Sequence, residues 1–568
     1  MFTTSVMKWT VLVSMLHLVL GQNLLLNGEI ESMTHWDCCC FKCELTTVHH
    51  QGQHAIKVTG RTQDWNGPSQ TLVNVKPSGR YRVSGYAKLL NDLPNEIGQN
   101  IGMDVEVTFN DGRKTYISAA FNPLTRVSDG WVHVKGDFDI PAQDVKSSRL
   151  YWQGPSPGVN FVVDSISLTD LTENTNWRGE SDAVIDRVRK SDINFKVTLS
   201  GDVKSDDVEI DVIQTKKAFP FGTAVTCKDY LNGDQRYQDF INKHFNWGVT
   251  QNAIKWDLME QQQGHIDYDT PINAIKKLRS NGLKVRAHNI VWSVPQFVPQ
   301  WVRPMTGNTL RQTVHYRVQD IVNRTKDLVE HWDVNNENLH GFWFQNTLND
   351  RDYNLEIFRI AHQAGPKVKL FLNDYNVVAD GGFTMAYKNQ AIRFKNANVG
   401  LYGVGVQCHF ADNVKPDPTL IKEHLDTIAQ AGVPIWVTEL DVYQTDEKIR
   451  ADWYETAFRA FYGHPAVEGI MFWGFWSNNH YRGEPASLVT GSSFRVNAAG
   501  QRYLDLTEKQ WMTNETHALS QTGNAFKVRG FHGDYDVIVK VRGKEVPTLK
   551  KTFTLGKSAH TVNINVHQ

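Results

Sequence analysis

Between residues 219 and 511 the chain repeats one pattern eight times: an apolar segment of strand length followed by a helix or a loop. The strand segments are 219–225, 247–255, 284–292, 331–337, 369–375, 403–410, 434–442 and 469–476. Helical periodicity between them is clearest at 271–280, 419–431 and 449–462. Continuous apolar runs alternating with helices are what a parallel sheet covered by helices requires. Eight such units predict an α/β fold of the (β/α)8 TIM-barrel type. An open doubly wound sheet competes with it, but no glycine-rich nucleotide loop follows the first strand.

The flanks differ. Residues 22–171 read as short strands between turns, including 81–86 and 103–109, with Asn110-Asp111-Gly112 ending the latter. Regular strands without helical period predict an antiparallel β-sandwich of jelly-roll type. Residues 172–218 are expected to be a linker that packs as a short helix and some strands. Residues 512–568 predict a small C-terminal β-domain, too short for an ample core of its own and so expected to dock on the barrel.

Residues 1–21 carry Lys8, an apolar run over 11–20 and then Gly21, the pattern of a cleaved secretory signal. The mature protein is therefore expected to be secreted, extracellular and free of the membrane. The sequons at Asn323 and Asn514 fit a glycoprotein. Of six cysteines, Cys38, Cys39, Cys40 and Cys43 cluster. Secreted thiols oxidise, so a disulfide in or around the cluster is expected rather than a metal site. With 60 basic and 61 acidic residues, the net charge of -1 gives no reason to expect a nucleic-acid partner.

In such a barrel the chemistry lies at the C-terminal ends of the strands. Strand four ends at Asn336-Glu337 and strand seven at Glu439-Leu440-Asp441. Alternation along strand six puts Gly403, Gly405, Gln407 and His409 on one face. A lone glutamate at a strand end is more often a solvated rim residue, and a lone histidine a structural one. Two carboxylates, a Gln/His pair and several tryptophans at one mouth reverse those odds. Carboxylates about 5 Å apart suit retaining glycoside hydrolysis, in which one is the nucleophile and the other the acid/base. Asn336 can bond a sugar hydroxyl without adding charge, and His409, held by Asp441, can orient the nucleophile. No cofactor is needed, and the strand ends show no second His/Asp pair for a metal.

Taken together these motifs resemble the family-10 glycoside hydrolases, the retaining endo-β-1,4-xylanases. The likeness runs through 219–511. It implies Glu337 as acid/base and Glu439 as nucleophile, with Asn336, His409 and Asp441 in support. It implies sugar contacts at Asn252, Lys255, His288, Trp292, Tyr375, Gln407, Trp473, Tyr481 and Arg482. Gln251 stands where the family usually has Glu, Ser293 where it has His, and Tyr481 where many members have Trp. The implied substrate is plant cell-wall xylan. Gln251 and Tyr481 lead us to expect a looser glycone site with some activity on β-1,4-glucan (cellulose). An inactive glycan-binding barrel is the alternative, against which both glutamates stand. Residues 22–171 more loosely resemble carbohydrate-binding modules of families 4, 9 and 22, with Trp65, Trp131 and Trp152 as candidates for stacking on sugar.

Overall fold

The computed structural model describes residues 22–39, 42–50, 53–412 and 414–567. The signal expected at 1–21 lies outside them, as does Cys40. The N-terminal unit is a sandwich of two five-stranded sheets. One has the order Asp37–Cys38, Pro68–Thr71, Val145–Gln153, Gln99–Phe109, Lys114–Thr125. The other has the order Glu44–His50, Gln53–Thr59, Phe161–Asp170, Arg80–Leu89, Val132–Asp139. Pairing is antiparallel throughout, so alternate residues face in: Met103, Val105 and Val107 are fully buried. Cys38 and Cys43 form a disulfide, as the cysteine cluster led us to expect.

Helix Trp177–Arg189 leads to strands Lys190–Leu199 and Val208–Lys217. The helix and strands expected in 172–218 are present, but they are part of a sheet domain rather than a linker. Lys190–Leu199 pairs with both Ala525–Phe531 and His560–Val566. Val208–Lys217 pairs with both Asn514–Ala518 and Gly533–Val541. The C-terminal β-domain is thus built from two distant stretches of chain, with the barrel inserted between them. The reason is core supply. Ile193, Phe195, Val197, Val208, Ile210 and Val212 alternate inward and complete a core that the later strands could not close alone.

The barrel closes. Its strands are Phe221–Ala224, Trp247–Val249, Lys284–Trp292, His331–Asn336, Lys369–Asp374, Leu401–Val406, Ile435–Val442 and Val467–Phe472. Neighbours pair in parallel, and the eighth returns to the first. Two strands differ from expectation. The second stops at Val249, because hydrogen bonds from Ala253 N–H to Thr250 and from Lys255 N–H to Asn252 coil the chain into turns. The sixth stops at Val406 and resumes at His409–Phe410, with Cys408 in the left-handed region between them.

Both sandwiches dock on the barrel. Trp511 is buried beside Phe221 and Tyr462 where the chain leaves the barrel, with ring centroids at 6.1 and 4.3 Å, and Tyr462 in turn stacks on Phe531 of the C-terminal unit at 6.5 Å. The N-terminal sandwich meets the barrel through Arg80–Asp417 and Arg82–Glu423, through Asp129–Arg351 at 2.6 Å, and through a buried Asp137–His424 contact of 2.5 Å.

Candidate active site

Strand four delivers Glu337 by breaking its own regularity. Glu337 adopts φ 57°, a left-handed conformation costly for a non-glycine residue. Its N–H donates to the Asn373 carbonyl, and its own carbonyl accepts from the His340 and Gly341 N–H groups. The turn throws its carboxyl into the mouth, where Trp292 Nε1 donates to Oε2 at 2.9 Å and Gln407 Nε2 to Oε1 at 3.1 Å. Burial, helped by the nearby Asp374 carboxylate, raises its pKa to about 7.

Glu439 is shifted the opposite way. Burial alone would raise its pKa, but the His409 hydrogen bond and the positive charges of His288 and Lys255 outweigh it and lower it. Asn373 Nδ2 donates to Oε1 at 2.7 Å, and His409 Nε2 lies 3.2 Å from Oε2. His409 Nδ1 is 2.7 Å from Asp441. Burial lowers the pKa of His409, but Asp441 and Glu439 between them raise it to about 10. Arg482 holds Asp441 from the other side at 2.6 Å. Gly405 leaves room for this layer, since a Cβ there would lie 2.3 Å from Asn373 Oδ1.

The remaining predicted residues, Asn252 apart, come to the same mouth. Lys255 Nζ lies over the Trp292 and Trp473 rings at 4.9 and 5.6 Å, and His288 packs edge-on to Trp473. Asn336 accepts from Asn373 Nδ2 at 2.9 Å. Asn252 is exposed on the loop after strand two. Tyr481 is 63% exposed, with its hydroxyl 3.3 Å from His409 Nδ1. Tyr375 stacks on His340 at 3.7 Å, and His340 Nδ1 sits 2.7 Å from Asp374. Gln251 is buried and accepts from Thr226 Oγ1 at 2.9 Å. Ser293 is buried and accepts from Asn335 Nδ2 at 2.9 Å.

Sequence reasoning missed the layer beneath. Arg286 pairs with Asp333, which also holds His288 at 3.0 Å, and all three are fully buried. A charge inside an apolar parallel strand demands a partner, and that signal was available in both strands. Asn373, Asp374 and His340 were missed for a different reason: their roles arise from neighbours on other strands.

On the sandwich the three tryptophans part company. Trp152 is fully buried, with its indole over Gly85 between the sheets, so it belongs to the core and not to a sugar site. Trp65 is 46% exposed and Trp131 is half-buried. Opposite Trp152 in the pleat, Tyr151, itself buried, and Gln153, half-buried, lie on the other face of the sheet and hydrogen-bond Asp104 at 3.3 and 2.5 Å. Asp104 is buried, with the Ser118 side chain beside its carboxylate. Burial raises its pKa to about 6. Tyr116, exposed, shares this outer face, because its cross-strand partner Glu106 lies two residues from Asp104.

A family model described as "Glycosyl hydrolase family 10" matches residues 211–501, and one described as "Carbohydrate binding domain" matches 22–158. Endo-1,4-beta-xylanase 1 and endo-1,4-beta-xylanase 3 of Arabidopsis thaliana are each 32% identical, over 90% and 86% of this chain. The chain spans only 52% and 63% of their lengths. Among solved structures, xylanase 10B from Thermotoga petrophila in complex with xylobiose aligns with 51% of this chain and 94% of its own. It does so at 22% identity and TM-score 0.47. The Clostridium thermocellum xylanase 10B CBM22-1–GH10 modules complexed with xylohexaose align with 83% of this chain and 95% of their own, at 16% identity and TM-score 0.45. The family-10 match takes in just over half of the 568 residues and every strand of the barrel. This chain belongs to glycosyl hydrolase family 10.

Proposed function

We propose that the protein is a secreted, endo-acting retaining glycosidase that cleaves β-1,4-xylan by double displacement. The observation that carries this reading is two buried carboxylates at one mouth with different partners. Trp292 and Gln407 hold Glu337, whose pKa burial raises to about 7, while His409 and Asn373 hold Glu439, whose pKa the His409 hydrogen bond lowers against burial. Glu439 attacks the anomeric carbon as the bond to the leaving oxygen breaks, and Glu337 gives that oxygen its proton. A covalent glycosyl ester on Glu439 remains. Glu337, now a carboxylate, takes a proton from water as the water oxygen attacks the same carbon, which frees Glu439 and restores the acid. His409 and Asn373 hold the nucleophile's two oxygens, while Gln407 and Trp292 hold those of the acid. Asn252, Lys255, His288, Trp292 and Trp473 form the glycone side, with Tyr481 and Arg482 at its rim, and Tyr375 faces the leaving group.

The sandwich serves as a glycan-binding module through Trp65, Tyr116, Tyr151, Gln153 and Asp104. The exposed Tyr481 and the neutral Gln251 further support some tolerance of the C5 hydroxymethyl of glucan. Proton NMR of early products from xylan tests the main reading: β-anomer first is expected, and α-anomer first rejects double displacement. No cleavage of xylan at all leaves the glycan-binding barrel as the better account.

A further inference from the structure

The outer face of the N-terminal sandwich runs into the leaving-group side of the cleft. Phe121 pairs across strands with Gly102, and a Cβ on Gly102 would lie 2.6 Å from the Phe121 ring. The ring therefore covers Gly102 on the face that carries Asp104, Tyr116 and Tyr151. Phe121 also stacks on Phe383 of the barrel, with centroids 5.8 Å apart. Phe383 packs on His340 at 4.4 Å, and His340 stacks on Tyr375 beside the acid. A backbone hydrogen bond crosses the joint, from Phe121 N–H to Gly382 O at 2.8 Å, and Phe383 is itself tied to the barrel by its N–H to Asn376 O at 3.1 Å. From Phe121 to Tyr116 the strand covers about 17 Å.

We propose that the cleft and the module face form one continuous surface, on which the leaving-group part of a single linear β-1,4-xylan chain lies from Tyr375 across Phe121 toward Tyr116 and Asp104. This rests on the xylanase reading above. Phe121 and Phe383 are partly exposed at the seam and stack on one another, so the edges they leave uncovered are what a passing sugar chain would meet. The buried Asp104 carboxylate, held by Tyr151 and Gln153 with the Ser118 side chain beside it, lies on this face. A module that merely tethers the enzyme to insoluble material would gain nothing on short soluble chains. A continuous surface would gain on any soluble chain long enough to cross the seam.

The test compares kcat/KM for soluble linear xylo-oligosaccharides of four and of ten sugars, in wild type and in Tyr116→Ala and Phe121→Ala of the full chain. The ten-to-four ratio should fall at least fivefold in both variants. It should not move in Asp129→Ala, which breaks the Arg351 contact of the same interface without touching the rings. An unchanged ratio in Tyr116→Ala, an exposed position where folding is not at risk, overturns the proposal. Calorimetric titration of the ten-sugar chain into Glu439→Ala should give one chain per protein, and two would mean separate sites. Failure of wild type on both chains overturns the xylanase reading itself.

Discussion

Replacing Glu439 by alanine removes the atom that must bond to the sugar, so turnover of xylan should cease. Azide should then restore cleavage of an activated aryl xyloside with inverted product, and cleavage of xylan at wild-type rate would strip Glu439 of the role. Glu337→Ala should spare the first step on aryl substrates with good leaving groups while xylan hydrolysis falls steeply. The pH profile follows from the two shifts. Glu337 must be protonated and titrates at about 7, so kcat/KM should fall above neutrality. Glu439 must be ionised and titrates below its ordinary 4.5, so activity should persist down to that range. Asp374→Asn removes a like charge, which makes the ionised form of Glu337 easier to reach. The basic limb should therefore move to lower pH, and an unmoved limb would place the cause of the shift in burial alone. For specificity, Gln251→Glu with Tyr481→Trp should raise the xylan-to-cellulose ratio of kcat/KM. A tenfold rise is about 1.4 kcal/mol, within reach of a single altered contact.

At the scale of elements, Trp511 packs into the aromatic core of the barrel where the chain leaves it. Trp511→Ala opens a cavity between Phe221 and Tyr462 and should cost about 3–5 kcal/mol, read as a lowered urea midpoint. How far the elements could be read beforehand follows from where their signals lie. Barrel strands three, four and seven were found nearly residue for residue, because a strand buried on both faces is a continuous apolar run. Strand two was overextended, since Ala253 and Ile254 are apolar but belong to turns that only backbone hydrogen bonds define. Gln407 and His409 were placed on one face by alternation and do reach one mouth, although the chain kinks at Cys408 between them. Trp152 looked like a sugar platform because an aromatic in a strand says nothing of which face it takes. Its neighbours in the pleat, Tyr151 and Gln153, take the other face of the sheet.

Over the whole molecule, the His424–Asp137 contact couples the module to the barrel through a titratable group. Burial lowers the pKa of His424, but the Asp137 carboxylate more than offsets this and raises it above 6.5. Its contribution to docking is complete below about 6.5 and is lost as pH rises through the higher folded value. Thermal melts should accordingly show wild type losing stability across that window, and His424→Gln losing less. Equal pH slopes would remove His424 from the linkage. The inserted barrel has a consequence in time. Strand Lys190–Leu199 sits at the centre of its sheet, yet both of its partners lie beyond residue 524. At about 5–20 residues per second of synthesis, it waits on the order of 15–60 s before either is made. Through that interval the strand has neither of its sheet neighbours, and Lys190, Asp192 and Lys196 within it are the charges that stand against premature pairing with another nascent chain.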